Sequence, residues 1–140
     1  MGNEPCTPGD TAAVTRCPCG TGLPFAECCE PLHRGVRTAG TAEQLMRSRF
    51  SAFAVGDAAH LLRSWHPSTR PAELALDEDV RWYRLDVLAT SGGGVFDTTG
   101  TVEFEAFWRG PDGRGSVREV SRFVRGPEGW QYVDGDTTRR

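Results

Sequence analysis

Apolar positions change their period once the chain passes residue 80. Between Thr41 and Trp65 they recur every three or four places: Leu45, Met46, Phe50 and Phe53 with Arg49 among them, then Leu61, Leu62 and Trp65. That is the spacing of helices burying one face, with Arg47 and Ser48 on the other side. Thr41-Ala-Glu-Gln44 has the form of a capping box that starts the first helix. Gly56-Asp57 breaks it, Asp57 caps a second, and Pro67 stops that one. His60 reads as a solvated position within the second helix, and the aromatic and Met positions read as core. From Arg81 the period is two: Tyr83, Leu85, Val87 and Ala89 alternate with Trp82, Arg84, Asp86 and Leu88. Gly92-Gly-Gly94 opens a loop. Thr101–Arg109 and Ser116–Arg125 form a hairpin across Gly110–Gly115, and Gly126-Pro-Glu-Gly129 leads into a last strand, Trp130–Asp134. Helices first and an antiparallel meander after is an α+β order, one helical layer on one curved sheet.

The N-terminal part has no such period. Residues 1–16 read as a disordered arm carrying Cys6, a free thiol. Residues 17–35 hold Cys17-Pro-Cys19 and Cys28-Cys29, two pairs of sulfurs on either side of Gly20-Thr-Gly-Leu-Pro24. A tetrahedral ion such as zinc takes four soft ligands from such a pair of turns, and a segment this poor in long apolar side chains needs one to fold. Cys17, Cys19, Cys28 and Cys29 are the expected ligands, with His33 as an alternative to Cys29. Two disulfides are the competing use. The chain starts Met-Gly-Asn-Glu-Pro with neither a basic nor an apolar leader segment, so we expect reduced thiols and a cytoplasmic location.

Composition narrows the class. Hydrophobic residues make up 38% and charged residues 25%, an ordinary soluble balance. A net charge of −3 gives no basic stripe for nucleic acid, and no apolar run is long enough for a membrane helix. All sixteen basic residues are Arg, which excludes a lysine Schiff base or a P-loop lysine. No nucleophile elbow, zincin helix or phosphate-binding glycine loop is present.

Outside the cysteines, Trp65-His-Pro-Ser-Thr-Arg-Pro71 is the densest polar cluster. Its prolines stiffen it, His66 titrates near neutrality and Arg70 can fork onto an anion. Alternation places Glu119 and Ser121 on one face with Val117 and Phe123, and Tyr132 and Asp134 on one with Trp130. Trp65, His66, Arg70, Glu119, Ser121, Tyr132 and Asp134 are therefore the candidate pocket residues. The plain alternatives are a loop fastener for His66, an Arg–Glu cross-strand ladder for Glu119 and a turn role for Asp134.

The cysteine pattern Cys17-Pro-Cys19-Gly-Thr-Gly22 … Cys28-Cys29 resembles the SEC-C motif, the zinc-binding tail of the translocase ATPase SecA. In that motif the last ligand is Cys or His, which Cys29 satisfies. Ala42–Phe50, Trp65–Pro71, Glu119-Val-Ser-Arg-Phe123 and Trp130-Gln-Tyr-Val-Asp-Gly135 resemble the bacterial YchJ family, in order, from Cys17 to Gly135. The resemblance implies a cone-shaped nuclear-transport-factor-2-like (NTF2-like) domain, here residues 38–136, behind a zinc-binding SEC-C module. It also implies a protein partner for the knuckle. Three functions follow as expectations. The first is a zinc-binding adaptor or ligand-binding protein whose cone takes a small or anionic ligand. The second is a pocket enzyme of isomerase, dehydratase or hydrolase type using His66 with Asp134 or Glu119. The third is metal delivery or sensing through Cys28-Cys29.

Overall fold

The computed structural model describes residues 15–139 of the 140. The expected arm, with Cys6, lies outside the described residues apart from Thr15 and Arg16. These two belong to the cysteine module: the Phe25 amide donates to the Thr15 carbonyl at 2.8 Å, and Arg16 bridges to Pro24.

The elements in order are a short 3-10 turn (Phe25–Glu27), helices α1 (Glu30–His33), α2 (Ala42–Val55) and α3 (Ala58–Arg63), and strands β1 (Arg81–Gly92), β2 (Thr99–Gly110), β3 (Gly113–Gly126) and β4 (Gly129–Arg139). Thr41 caps α2 by accepting from the Gln44 amide at 3.1 Å. Gln44 reaches back one residue further than a capping box requires, accepting from the Gly40 amide at 2.6 Å. Gly56 ends α2 in the left-handed conformation, and Asp57 caps α3 through the His60 amide.

The sheet is an antiparallel meander in the order β1-β2-β3-β4. The β2–β3 turn is tighter than the sequence implies: Gly110 pairs with Gly113, leaving only Pro111 and Asp112 between strands. The last strand runs on to Arg139, five residues past the expected end at Asp134. Irregular pairing at Tyr83 in β1 turns the alternation over. Trp82 and Leu85 therefore both pack on the core, while Tyr83 joins Phe107 and Arg109 on the outer face. Periodicity alone misplaces Tyr83 for that reason.

Helix α2 crosses β1, β2 and β4. Its Leu45, Met46 and Phe50 meet Leu85, Val102, Phe104, Phe123 and Trp130 in one core. The side of α2 that reads as polar is buried as well. Ser48 and Ser51 are fully enclosed, because the cysteine module and α3 cover them. Small side chains there let the module approach the helix backbone.

Candidate functional site

Tight turns build the candidate metal centre. Gly20 and Gly22 take positive φ, and the Cys17 amide bonds to the Leu23 carbonyl at 2.8 Å, closing the first cysteine turn. The 3-10 turn then delivers Cys28, and Cys29 starts α1, its carbonyl accepting from the Leu32 and His33 amides. The sulfurs of Cys17, Cys19, Cys28 and Cys29 all lie within 4.8 Å of one another. Cys19 and Cys28 are 3.6 Å apart, Cys28 and Cys29 3.9 Å. A tetrahedral ion with bonds of about 2.3 Å sets ligand sulfurs about 3.8 Å apart, so the four residues fit a metal ion. Cys17, Cys19, Cys28 and Cys29 are all free, not disulfide-bonded.

Four sulfurs this close share protons unequally. Bonds from Cys17 and Cys29 hold Cys19 far below the usual thiol range. Bonds to Cys17 and Cys19 hold Cys29 far above it, and burial pushes Cys28 up to about 11. Only a cation among them lets all four ionise together. Supporting hydroxyls are in place: Thr21 Oγ1 lies 3.1 Å from the Cys28 sulfur and Ser51 Oγ 3.3 Å from that of Cys17.

His33 is engaged elsewhere. Its Nε2 donates to the Ser48 carbonyl at 2.8 Å, its Nδ1 faces Asp57 at 3.6 Å, and its ring stacks on His60. Arg47 donates to the Cys19 carbonyl and Arg63 to that of His33, at 2.7 and 2.6 Å. The cysteine module and the cone are thus joined by polar bonds from α2 and α3. His60, expected on the surface, is 5% exposed in this joint.

The candidate pocket residues divide into two groups. Glu119 accepts from Ser121, from Tyr132 at 3.1 Å and from Thr137 at 3.0 Å. Gly135 lies under this carboxylate, where a methyl group would overlap it. Trp65 packs edge-on against Tyr132, and Arg49 sits over both rings at 4.9 and 4.4 Å. Arg49 is 4% exposed and donates to the Leu61 carbonyl and Ser64 Oγ. Burial pulls its guanidinium down to about 10, still charged at neutral pH, and burial holds the Tyr132 phenol above its ordinary range. Glu119, Ser121, Tyr132 and Trp65 therefore gather around Arg49, which sequence reasoning took only as part of the helix stripe. The signal was an arginine at a core spacing.

His66, Arg70 and Asp134 do not join them. His66 Nδ1 pairs with Ser68, its amide bonding to the Tyr132 carbonyl, and Arg70 wraps back onto the Trp65 carbonyl. Asp134 is exposed and paired with Arg122. The expected contacts of His66 and Arg70 with Glu119 or Asp134 are not made, because β4 turns Asp134 outward and the loop satisfies its own polar groups. The Arg–Glu ladder exists one strand face away, between Arg118 and Glu103 at 2.8 Å.

Comparison with known proteins agrees with this geometry. Residues 41–135 match the family profile described as YchJ, middle NTF2-like domain, and residues 15–31 match the SEC-C motif. The chain belongs to the YchJ family. Its YchJ relatives include a UPF0225 protein of Corynebacterium glutamicum, 54% identical over 121 residues, covering 86% of this chain and 96% of that one. A UPF0225 protein of Streptomyces coelicolor is 52% identical, with 86% and 94% covered. Among solved structures, a SEC-C motif containing protein from Rhodopseudomonas palustris superposes with a TM-score of 0.75 at 31% identity, covering 87% of this chain and 98% of that one. One from Psychrobacter arcticus gives 0.71 at 28% identity, with 87% and 82% covered. The YchJ assignment carries the NTF2-like cone and the SEC-C module with it.

Proposed function

We propose that this chain is a zinc-binding adaptor, a tetrathiolate knuckle held rigid for contact with a protein partner and carried on a packed cone domain. The carrying observation is the set of four sulfurs within 4.8 Å of one another, three of them on buried residues. An all-sulfur tetrahedral set favours zinc among the abundant divalent ions. Four protein ligands leave no coordination position for water, so the ion organises the fold and does not catalyse. Four unbridged thiols support a reducing compartment, the cytoplasm. Exposed Leu23 and Val36 offer apolar contact points on and beside the knuckle. Metal delivery needs ligands that open easily, and burial of Cys17, Cys19 and Cys29 speaks for retention instead. A pocket enzyme is the weaker reading because His66 is tied to Ser68 and Asp134 to Arg122.

Elemental analysis of the purified chain is expected to give close to one zinc per molecule. Cys17, Cys19, Cys28 and Cys29 should then resist alkylation until a chelator is added, and Cys28→Ser should lose the metal. Metal-free protein with disulfides under reducing preparation would overturn the zinc assignment. For the adaptor role, a photo-crosslinker at Leu23 in the protein's own cells should yield a discrete protein adduct. Its absence sinks that half of the reading.

A further inference from the structure

Beside the tail of the knuckle lies a cleft of about 130 Å³ that no role above uses. Buried Leu45 and Trp130 give it apolar lining, buried His60 is among its lining residues, and Arg37, Arg63 and Glu128 line it from exposed positions. It runs between the segment after α1, helix α3 and the β3–β4 turn.

The hydrogen bonds of Ser48 favour one tautomer of His60. Ser48 Oγ gives its only proton to the Leu45 carbonyl at 2.7 Å. In that arrangement it accepts from His60 Nε2, 2.9 Å away, and the imidazole proton sits on Nε2. Nδ1 is left as a lone-pair acceptor, with no donor to it among the described residues. Trp65 Nε1 is the only fully enclosed side-chain nitrogen or oxygen without a partner among the described residues. His60 Nδ1 is therefore not sealed off, and the cleft is a surface that His60 lines. Burial, with His33, Arg63 and Arg49 nearby, pulls the His60 pKa down to about 3, so the ring stays neutral at physiological pH.

A ligand here needs a donor for Nδ1 and a negative group for Arg37, whose side chain makes no bond among the described residues. Arg63 lines the same cleft, with one nitrogen on the His33 carbonyl. An ammonium donor is disfavoured by the positive charge of Arg63 and Arg49, whereas a hydroxyl is not. At about 30 Å³ per water the cleft holds roughly four waters, the room taken by a molecule of about five or six non-hydrogen atoms. We propose that this cleft binds a small α-hydroxycarboxylate, its carboxylate on Arg37 and Arg63 and its hydroxyl donating to His60 Nδ1.

Glycolate and acetate are the probes, titrated into the full chain as purified and followed by the nitrogen NMR shift of His60 Nδ1. Glycolate should bind saturably and move Nδ1 in the direction of an accepted hydrogen bond. Acetate, which lacks the hydroxyl, should bind about tenfold more weakly and leave Nδ1 in place. Arg37→Ala should weaken glycolate about tenfold or more while leaving Tm unchanged, since its side chain is exposed and unbonded. No saturable shift at Nδ1 overturns the site. So does acetate binding as tightly as glycolate, or Arg37→Ala binding as tightly as the parent chain.

Discussion

His60 is the residue whose chemistry the fold changes most. It is exposed in the unfolded chain with an ordinary imidazole pKa near 6.5, and in the fold that value falls to about 3, mainly through burial. The folded state therefore binds fewer protons than the unfolded state between these values. The stabilising effect of a neutral His60 is complete above pH 6.5 and declines as the pH drops toward 3, by about 1.4 kcal/mol for each unit. Acid also strips thiolates of metal, so the expected readout is a difference. His60→Gln keeps a donor for Ser48 and removes the titration. Urea midpoints measured from pH 7 to pH 4 should fall more steeply for the parent chain than for this variant; equal slopes would show that His60 is protonated in the fold. Arg49 teaches the complementary lesson. A guanidinium held between Trp65 and Tyr132, with Leu61 and Ser64 as acceptors, is a charge the interior can accept because its faces and its donors are both served.

Among the elements, the β3–β4 pair depends on a glycine lying under a carboxylate. Ser121 faces Gly135 in the register, and the Glu119 side chain leans over Gly135 to reach Tyr132 and Ser121. Gly135→Ala should push the carboxylate off these hydroxyls and cost about 1–3 kcal/mol, the usual penalty for stranding partly buried polar groups. In Glu119→Ala the obstacle is gone, so adding Gly135→Ala should cost much less there. Chemical unfolding of the parent, both single variants and the double closes this cycle, and additive losses would refute the contact. Helix α2 shows the same dependence at larger scale. One face carries the core residues Leu45, Met46 and Phe50, and the other presents Ser48 and Ser51 to the metal module.

At the scale of the whole molecule, the cysteine module and the cone share bonds that should make them unfold as one cooperative unit. Arg47 to Cys19, Cys17 to Ser51, His33 to Ser48 and Arg63 to His33 are bonds that a loosened knuckle would leave unmade. Chelation should therefore lower the midpoint of the β-sheet transition, by about 4 °C for each kcal/mol lost in a chain of this length. Circular dichroism melts with and without chelator test this. A sheet transition unmoved by chelation would mean that the knuckle unfolds alone.

Much of this was legible along the chain. Two-plus-two cysteine spacing marked the four sulfurs that the fold gathers, helical spacing from Leu45 to Phe50 marked the core face of α2, and the glycine-proline turns marked the meander. These are local patterns, set by 3.6- and 2-residue periods and by turn chemistry. Tertiary structure alone decided the rest. It buried His60 and Ser48, because the surface that covers them comes from a module folded elsewhere in the sequence. It moved Tyr83 to the outer face by one irregular pairing, since a single extra residue reverses every side chain beyond it. And it gathered Glu119 and Tyr132 around Arg49 while leaving His66 and Asp134 to partners of their own, because a hydrogen bond is chosen by distance in space, which no spacing in the sequence encodes.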